Sequence, residues 1–191
     1  MPSKLGFWLQ AGSLAEDRVL AQLRAAPPRG LGVAGSSELL NRAYEAVGPD
    51  AITLFQGVNL GDATAFVTRY PSVEAAVNAL VELLSPVVSA APWAYHLVFE
   101  SNTLTPQGIA FEALAIAQVR QRLNVRLCVG HFPSSIAASP ADWAPYQPVL
   151  EAAARYGALV GLREVYPLLP YVAYGAGMNL PDPPRHHPPA A

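Results

Sequence analysis

Apolar residues in this chain alternate between short β-type runs and stretches in which they spread to helical spacing. Residues 4–10 (KLGFWLQ) form the first run and close on a polar side chain; residues 14–25 follow with Leu14, Val19, Leu20 and Leu23 at roughly helical spacing. Pro27, Pro28 and Gly30 punctuate, residues 31–34 make a short second strand, and Ser36 or Ser37 caps a helix that runs to Val47 and ends at Gly48-Pro49. Residues 51–58 (AITLFQGV) are the third strand. A polar loop leads from them to a helix over 72–89, with Ser72 as its cap and Pro86 expected to kink or stop it.

The second half repeats the alternation. Residues 93–100 (WAYHLVFE) read as the fourth strand, Thr105-Pro106 as a cap and first helical residue, and 107–123 as a helix with Ile109, Leu114, Ala117 and Val119 among its apolar positions. Residues 125–132 are the fifth strand. Ser139-Pro140 opens a further helical region that includes 149–156, Gly157 is placed to end it, and 158–165 are the sixth strand. Prolines 167, 170, 181, 183, 184, 188 and 189 then rule out a regular helix or a central strand, so a domain over 1–166 is expected to pass into a proline-rich tail over 167–191 that ends disordered.

Six strands, each paired with helical sequence, predict an α/β fold with a parallel sheet and right-handed crossovers. Neither GxGxxG after the first strand nor GxxxxGK[ST] anywhere is present, which removes the usual nucleotide reasons for an open doubly wound sheet. The expectation is therefore a (β/α) TIM-barrel-like sheet of about six βα units. A full eight-unit barrel typically takes ~250 residues, so the array reads as truncated or open. Its exposed edge strands would need covering, and homo-oligomerisation is one way to do so.

Composition narrows the function classes. A 52% hydrophobic and 14% charged chain is globular, and twelve scattered cations against fourteen acids leave no basic footprint for nucleic acid. Cys128 is the one cysteine, so neither an intramolecular disulfide nor a cysteine zinc site can form, and its apolar run makes it a buried inert thiol. No metal or cofactor is implied. Neither a signal-peptide core nor an ~18-residue apolar span occurs, which predicts no membrane association and a cytoplasmic protein, or one released without a cleaved signal.

Candidate chemistry gathers at the strand ends, where a (β/α) barrel collects its functional groups on one rim. Gln10, Gln56, Asn59, Glu100, Asn102, His131, Arg163 and Glu164 all fall there. The motifs WAYHLVFESN, VRLCVGHFPSS, DWAPYQPVLEAAARYG and LVGLREVY resemble strand four to strand six of the TIM-barrel glycoside hydrolases that carry an acid/base glutamate after strand four. The resemblance implies Glu100 as general acid/base, with Phe99 and Ser101 where that family usually has asparagine and proline. It aligns Glu164 and Tyr166 with the acidic and aromatic positions after strand six, with Arg163 in place of a histidine. That family's nucleophile comes from strand seven, and no such strand is identifiable before the proline-rich segment.

What the resemblance implies is cleavage of a polysaccharide or peptidoglycan-like glycan by two carboxyl groups, ~5–5.5 Å apart for retention or ~6.5–9.5 Å for inversion. Glu100 and Glu164 are the candidate catalytic pair, and Gln10, Gln56, Asn59, Asn102, His131, Arg163 and Tyr166 the candidate substrate ligands. An apolar setting beside Phe99, with His96 near, favours Glu100 as the acid. Trp8, Tyr95, Trp143, Tyr166 and Tyr171 offer stacking faces. Two alternatives stay open: a non-catalytic carbohydrate-binding or assembly module, and an inactive fragment of a barrel enzyme. His96 in mid-strand reads more simply as a hydrogen-bonded interior residue.

Overall fold

A computed structural model describes residues 6–12, 16–133 and 140–163. It contains six strands: β1 (Gly6–Gln10), β2 (Gly30–Ala34), β3 (Ile52–Gln56), β4 (Tyr95–Leu97), β5 (Arg126–Pro133) and β6 (Leu159–Arg163). The helices are α1 (Glu16–Ala25), α2 (Ser37–Val47), α3 (Ala63–Val67), α4 (Val73–Val88), α5 (Pro106–Leu123), α6 (Pro140–Trp143) and α7 (Gln147–Tyr156), with a 3-10 turn at Ala144–Tyr146. All strand pairs are parallel and the order is β1-β2-β3-β4-β5-β6. The expected α/β fold with a six-stranded parallel sheet is thus present, and among the described residues five helical connections join its strands. Because the order never reverses, right-handed crossovers bring every helix to one side of the sheet, as in a barrel. Among the described residues no hydrogen bond joins β1 to β6, so the ladder is open.

Local sequence explains where the helices begin and end. Ser36, Ser72 and Thr105 each accept a hydrogen bond from the backbone N–H three residues on and so satisfy an orphan donor of α2, α4 and α5. Gly157 ends α7 in the left-handed region at φ 70°, where a glycine carries no Cβ penalty. α4 ends at Val88, two residues after Pro86, so the helix stops close to where the proline is expected to stop it. The polar loop after β3 also differs from expectation: it contains α3, which Asp62 caps.

Register separates two faces of the sheet. Val33, Phe55, His96 and Leu127 are successive partners, and this set packs under the helices. Leu31, Val33 and Phe55 meet α1 and α2 in one core; Leu127 and Val129 meet α4, α5 and α7 in the other. His96 belongs to this helix side: it is buried, its Nε2 lies 3.0 Å from the Ala91 carbonyl oxygen, and its ring meets Phe55 edge-on. Burial holds its imidazole below the usual range, and the neutral Nε2–H tautomer suits the carbonyl partner.

The opposite, inner face carries Trp8, Gly32, Leu54, Tyr95 and Arg126 in one row and Gln10, Ala34 and Gln56 in another, nearer the strand C-terminal ends. A Cβ at Gly32 would lie 2.0 Å from the Trp8 ring, so a larger residue there would displace the Trp8 side chain from its present place over the sheet. Leu97 and Cys128, partners at the centre of this face, are buried. Burial alone raises the Cys128 thiol to about 12, which makes it an inert core thiol.

Candidate functional site

The C-terminal ends of the strands gather the candidate residues. Beyond Leu97 the chain runs on through Val98 and Phe99, both buried on the helix side, where the Phe99 and Phe111 rings lie 5.4 Å apart. Those two anchors leave Glu100 half-buried at the rim. Its backbone is held on both sides by the segment after β3: Glu100 N–H donates to the Gly61 carbonyl at 2.9 Å, and its carbonyl accepts from Ala63 N–H at 2.8 Å. This parallel bridge sets Asp62 directly beside Glu100.

Asp62 is the residue that makes the bridge rigid. One carboxylate oxygen accepts from Ala65 N–H at 2.9 Å and caps α3; the other accepts from Asn102 N–H at 2.8 Å. It thus ties the loops after β3 and β4 together on either side of Glu100. Asn59 accepts from Gly61 N–H at 2.9 Å through its own side-chain oxygen, so its side chain forms the turn that delivers Asp62. Asn102 contributes its backbone N–H to the tie and is exposed at the rim.

A second carboxyl group lies behind Glu100, and sequence reasoning missed it. Glu112 in α5 is 2% exposed. Ser101 Oγ donates to it at 2.5 Å, the Tyr146 hydroxyl donates to its other oxygen, and Gly130 N–H of β5 donates as well. Burial is the largest influence and raises its ionisation above the usual carboxylate range; the three donors oppose it, and the negative charge of Asp62 adds to it. Tyr146, likewise buried and facing that carboxyl, is pushed up too and stays a donor. The network fastens Ser101, the residue after Glu100, to α5, to β5 and to the turn before α7. Its sequence signal is an acid on an apolar stripe: Ile109, Glu112, Ile116 and Val119 share one buried helix face.

His131 reaches the rim through a bulge. Gly130 pairs with Gly161 and Phe132 with Leu162, which leaves His131 as the extra residue of β5 with φ 39°. A left-handed histidine is uncommon, and a bulge re-aims its side chain. A Cβ built on Gly161 would meet Cys128 Sγ of the inner face at 3.3 Å and the His131 ring at 3.6 Å. The bulge therefore turns His131 to the inner face, above Gly161, although strict alternation along β5 would send it to the helices.

The other expected residues divide by position. Gln10 and Gln56 end β1 and β3 on the inner face, exposed and half-buried respectively. Arg163 is the last residue of β6. Glu164, Tyr166, Tyr171 and the proline-rich segment lie outside the described residues. Tyr95 starts β4, at the opposite end of the sheet from Glu100, and so cannot stack on a substrate held at this rim. His96 faces Ala91 and Phe55 rather than the rim. Trp143 packs edge-on against Tyr146 at 6.2 Å. Among the described residues no group of three or more His, Cys, Asp or Glu side chains is arranged to hold a metal ion, and no helix is long and apolar enough to cross a membrane.

No family model matches the chain, and no curated protein matches it significantly. Among solved structures it is similar to the crystal structure of a "putative isomerase" from Sinorhizobium meliloti, with a TM-score of 0.41 and 11% sequence identity over 92% of this chain. The match spans 46% of that protein's length, so this chain corresponds to less than half of it.

Proposed function

We propose that this chain carries the acid/base half of a glycoside hydrolase-like site, with Glu100 as the proton donor to a glycosidic oxygen of a polysaccharide or peptidoglycan-like glycan. The observation that supports this reading is the placement of Glu100: it stands at the C-terminal end of the β4 segment, half-buried, with its backbone locked on both sides to the loop after β3. That is where a (β/α) barrel presents a catalytic acid, and acid/base work demands that the carboxyl stay within hydrogen-bond reach of its oxygen. Asp62 and Glu112 are positioning residues in this scheme. Asp62 fixes the bridge, and Glu112 fixes Ser101.

Gln10, Gln56 and Asn102 supply amide groups at the same rim, the usual partners for sugar hydroxyls, and His131 stands over the inner face near the end of β5. Hydrolysis also requires a second carboxylate, as base or nucleophile. Asp62 is committed to two backbone N–H groups, so the second carboxylate in this reading is Glu164, the acid that follows β6.

The test is hydrolysis of a glycan panel (peptidoglycan, chitin oligomers, xylan and mixed-linkage glucan) by wild type and Glu100→Gln. Loss of the proton donor is expected to lower kcat by about 10²–10⁴-fold, with a much smaller loss on aryl glycosides whose leaving group needs no protonation. Unchanged turnover in Glu100→Gln refutes the assignment. Saturable binding without turnover in wild type would favour the non-catalytic carbohydrate-binding alternative.

A further inference from the structure

The end of the sheet opposite Glu100 holds a cleft of about 370 Å³, lined by Tyr44, Asp50, Ile52, Trp93, Tyr95 and Arg126 among others. Ile52, Tyr95 and Arg126 are the first residues of β3, β4 and β5, so the cleft opens at the N-terminal ends of the central strands. Arg126 is its centre. The guanidinium lies 4.2 Å from the centroid of the Tyr95 ring, donates to the Tyr95 hydroxyl at 2.9 Å, and reaches the Trp93 carbonyl at 3.4 Å.

Those contacts occupy two of the five N–H donors that a guanidinium carries. Among the described residues the ion pairs are those of Arg42 with Glu16 and Asp17, so the half-buried Arg126 has no carboxylate partner there. A permanently charged, partly desolvated group that is pre-aimed by its stacking and left without a counter-ion favours an oxyanion.

The remaining walls limit what else the ligand carries. The Tyr44 and Trp93 rings, packed on each other at 4.0 Å between centroids, both line the cleft, and Ile52 in the lining is 52% exposed. Asp50, exposed in the lining and not ion-paired with Arg126, adds one solvated negative charge to the cleft, which disfavours a polyanion. The volume is near the lower end of small-molecule clefts, ~300–1,000 Å³, so one or two rings fill it.

We propose that this cleft is a binding site for a small flat-ringed molecule bearing a single carboxylate, the carboxylate on Arg126 and the ring against Trp93 and Tyr44. The site is independent of the rim chemistry, because it lies at the other end of the strands. A purely structural role for Arg126, as a clamp between β4 and β5, predicts no ligand at all.

The experiment is a calorimetric or NMR titration of the whole chain with benzoate, with benzamide as the neutral isostere and inorganic phosphate as the ringless anion. Benzoate is expected to bind saturably and at least about tenfold more tightly than either control, the worth of one charge-assisted hydrogen bond. Arg126→Gln should weaken benzoate by a similar factor. Ile52→Glu, at an exposed strand start, should weaken it as well by placing a second carboxylate at the mouth, and it serves where Arg126→Gln does not fold. Absence of saturable binding overturns the proposal, as does benzamide or phosphate binding as tightly as benzoate, or benzoate affinity unchanged in a folded variant.

Discussion

Replacing Glu112 by glutamine should change how the stability of this protein depends on pH. In the native state the carboxyl is 2% exposed and receives Ser101, Tyr146 and the Gly130 N–H. Burial nevertheless wins, so its folded ionisation lies above the value of 4.5 that it has when exposed. The sign follows from linkage. A carboxyl whose folded pKa is raised binds its proton more tightly when folded, so its contribution is fully present below the unfolded pKa and is lost as pH rises through the folded one. Every tenfold difference in proton affinity between the folded and unfolded chain is worth about 1.4 kcal/mol.

Glutamine keeps the volume and removes the titration. It also brings an NH2 group to a position where a hydroxyl donates, so one of Ser101 and Tyr146 loses its acceptor, at about 1–3 kcal/mol. Urea unfolding of wild type and Glu112→Gln across a pH series measures both effects. The wild-type advantage is expected to be largest in acid and to shrink as pH rises, and for a domain of this size a loss of 1 kcal/mol lowers Tm by about 2–4 °C. Titration of His96 and of other groups that do not interact with Glu112 is common to both proteins and cancels in the difference. Stability curves that stay parallel across the whole series would refute the reasoning, because they would mean that Glu112 binds its proton equally in the folded and unfolded states.

Asp62→Ala should cost about 1–3 kcal/mol, since the N–H groups of Ala65 and Asn102 both lose their acceptor; in hydrogen exchange the amides of Ala63, Ala65 and Asn102 should lose protection while those of β1 and β2 do not, and uniform protection would contradict the tie. Cys128, with its thiol raised to about 12 by burial, should react with an aromatic disulfide reagent at about pH 8 only after unfolding. Labelling of the native protein at the rate of a free thiol would show that the inner face around Cys128 is open.

The local part of this structure was legible because its causes are local. Ser36, Ser72 and Thr105 act on N–H groups three residues away, Gly157 acts through its own φ, and the apolar periods that separate strands from helices are complete within each element. Six strands with helical sequence between each and the next were enough to require a parallel sheet. They were also enough to bring Gln10, Gln56 and Glu100 to one end of it.

Partnership across the sheet is another matter. Glu112 finds Tyr146 thirty-four positions later and Ser101 eleven earlier, and nothing in the spacing of three polar residues announces that they will meet in a core. The acid on the apolar stripe of α5 marked an anomaly without naming its partners. His131 was expected at the rim, but its facing was not legible: strict alternation along β5 would send it to the helix side, and the extra residue between Gly130 and Phe132, set by pairing with β6, turns it to the inner face.

Tyr95 and Glu100 read as parts of one strand and one candidate site, yet the structure puts them at opposite ends of the sheet, one in the Arg126 cleft and the other at the rim. Of the glutamates at the ends of the fourth and sixth runs, sequence already favoured Glu100 through its apolar setting. What packing added was the Asp62 bridge beside Glu100 and the Glu112 network behind it. Sequence periodicity settles which residues are strand and helix, because that depends on neighbours within a turn. Which carboxyl is held, which is buried and which faces a cleft depends on contacts between distant segments, and those exist only once the chain has packed.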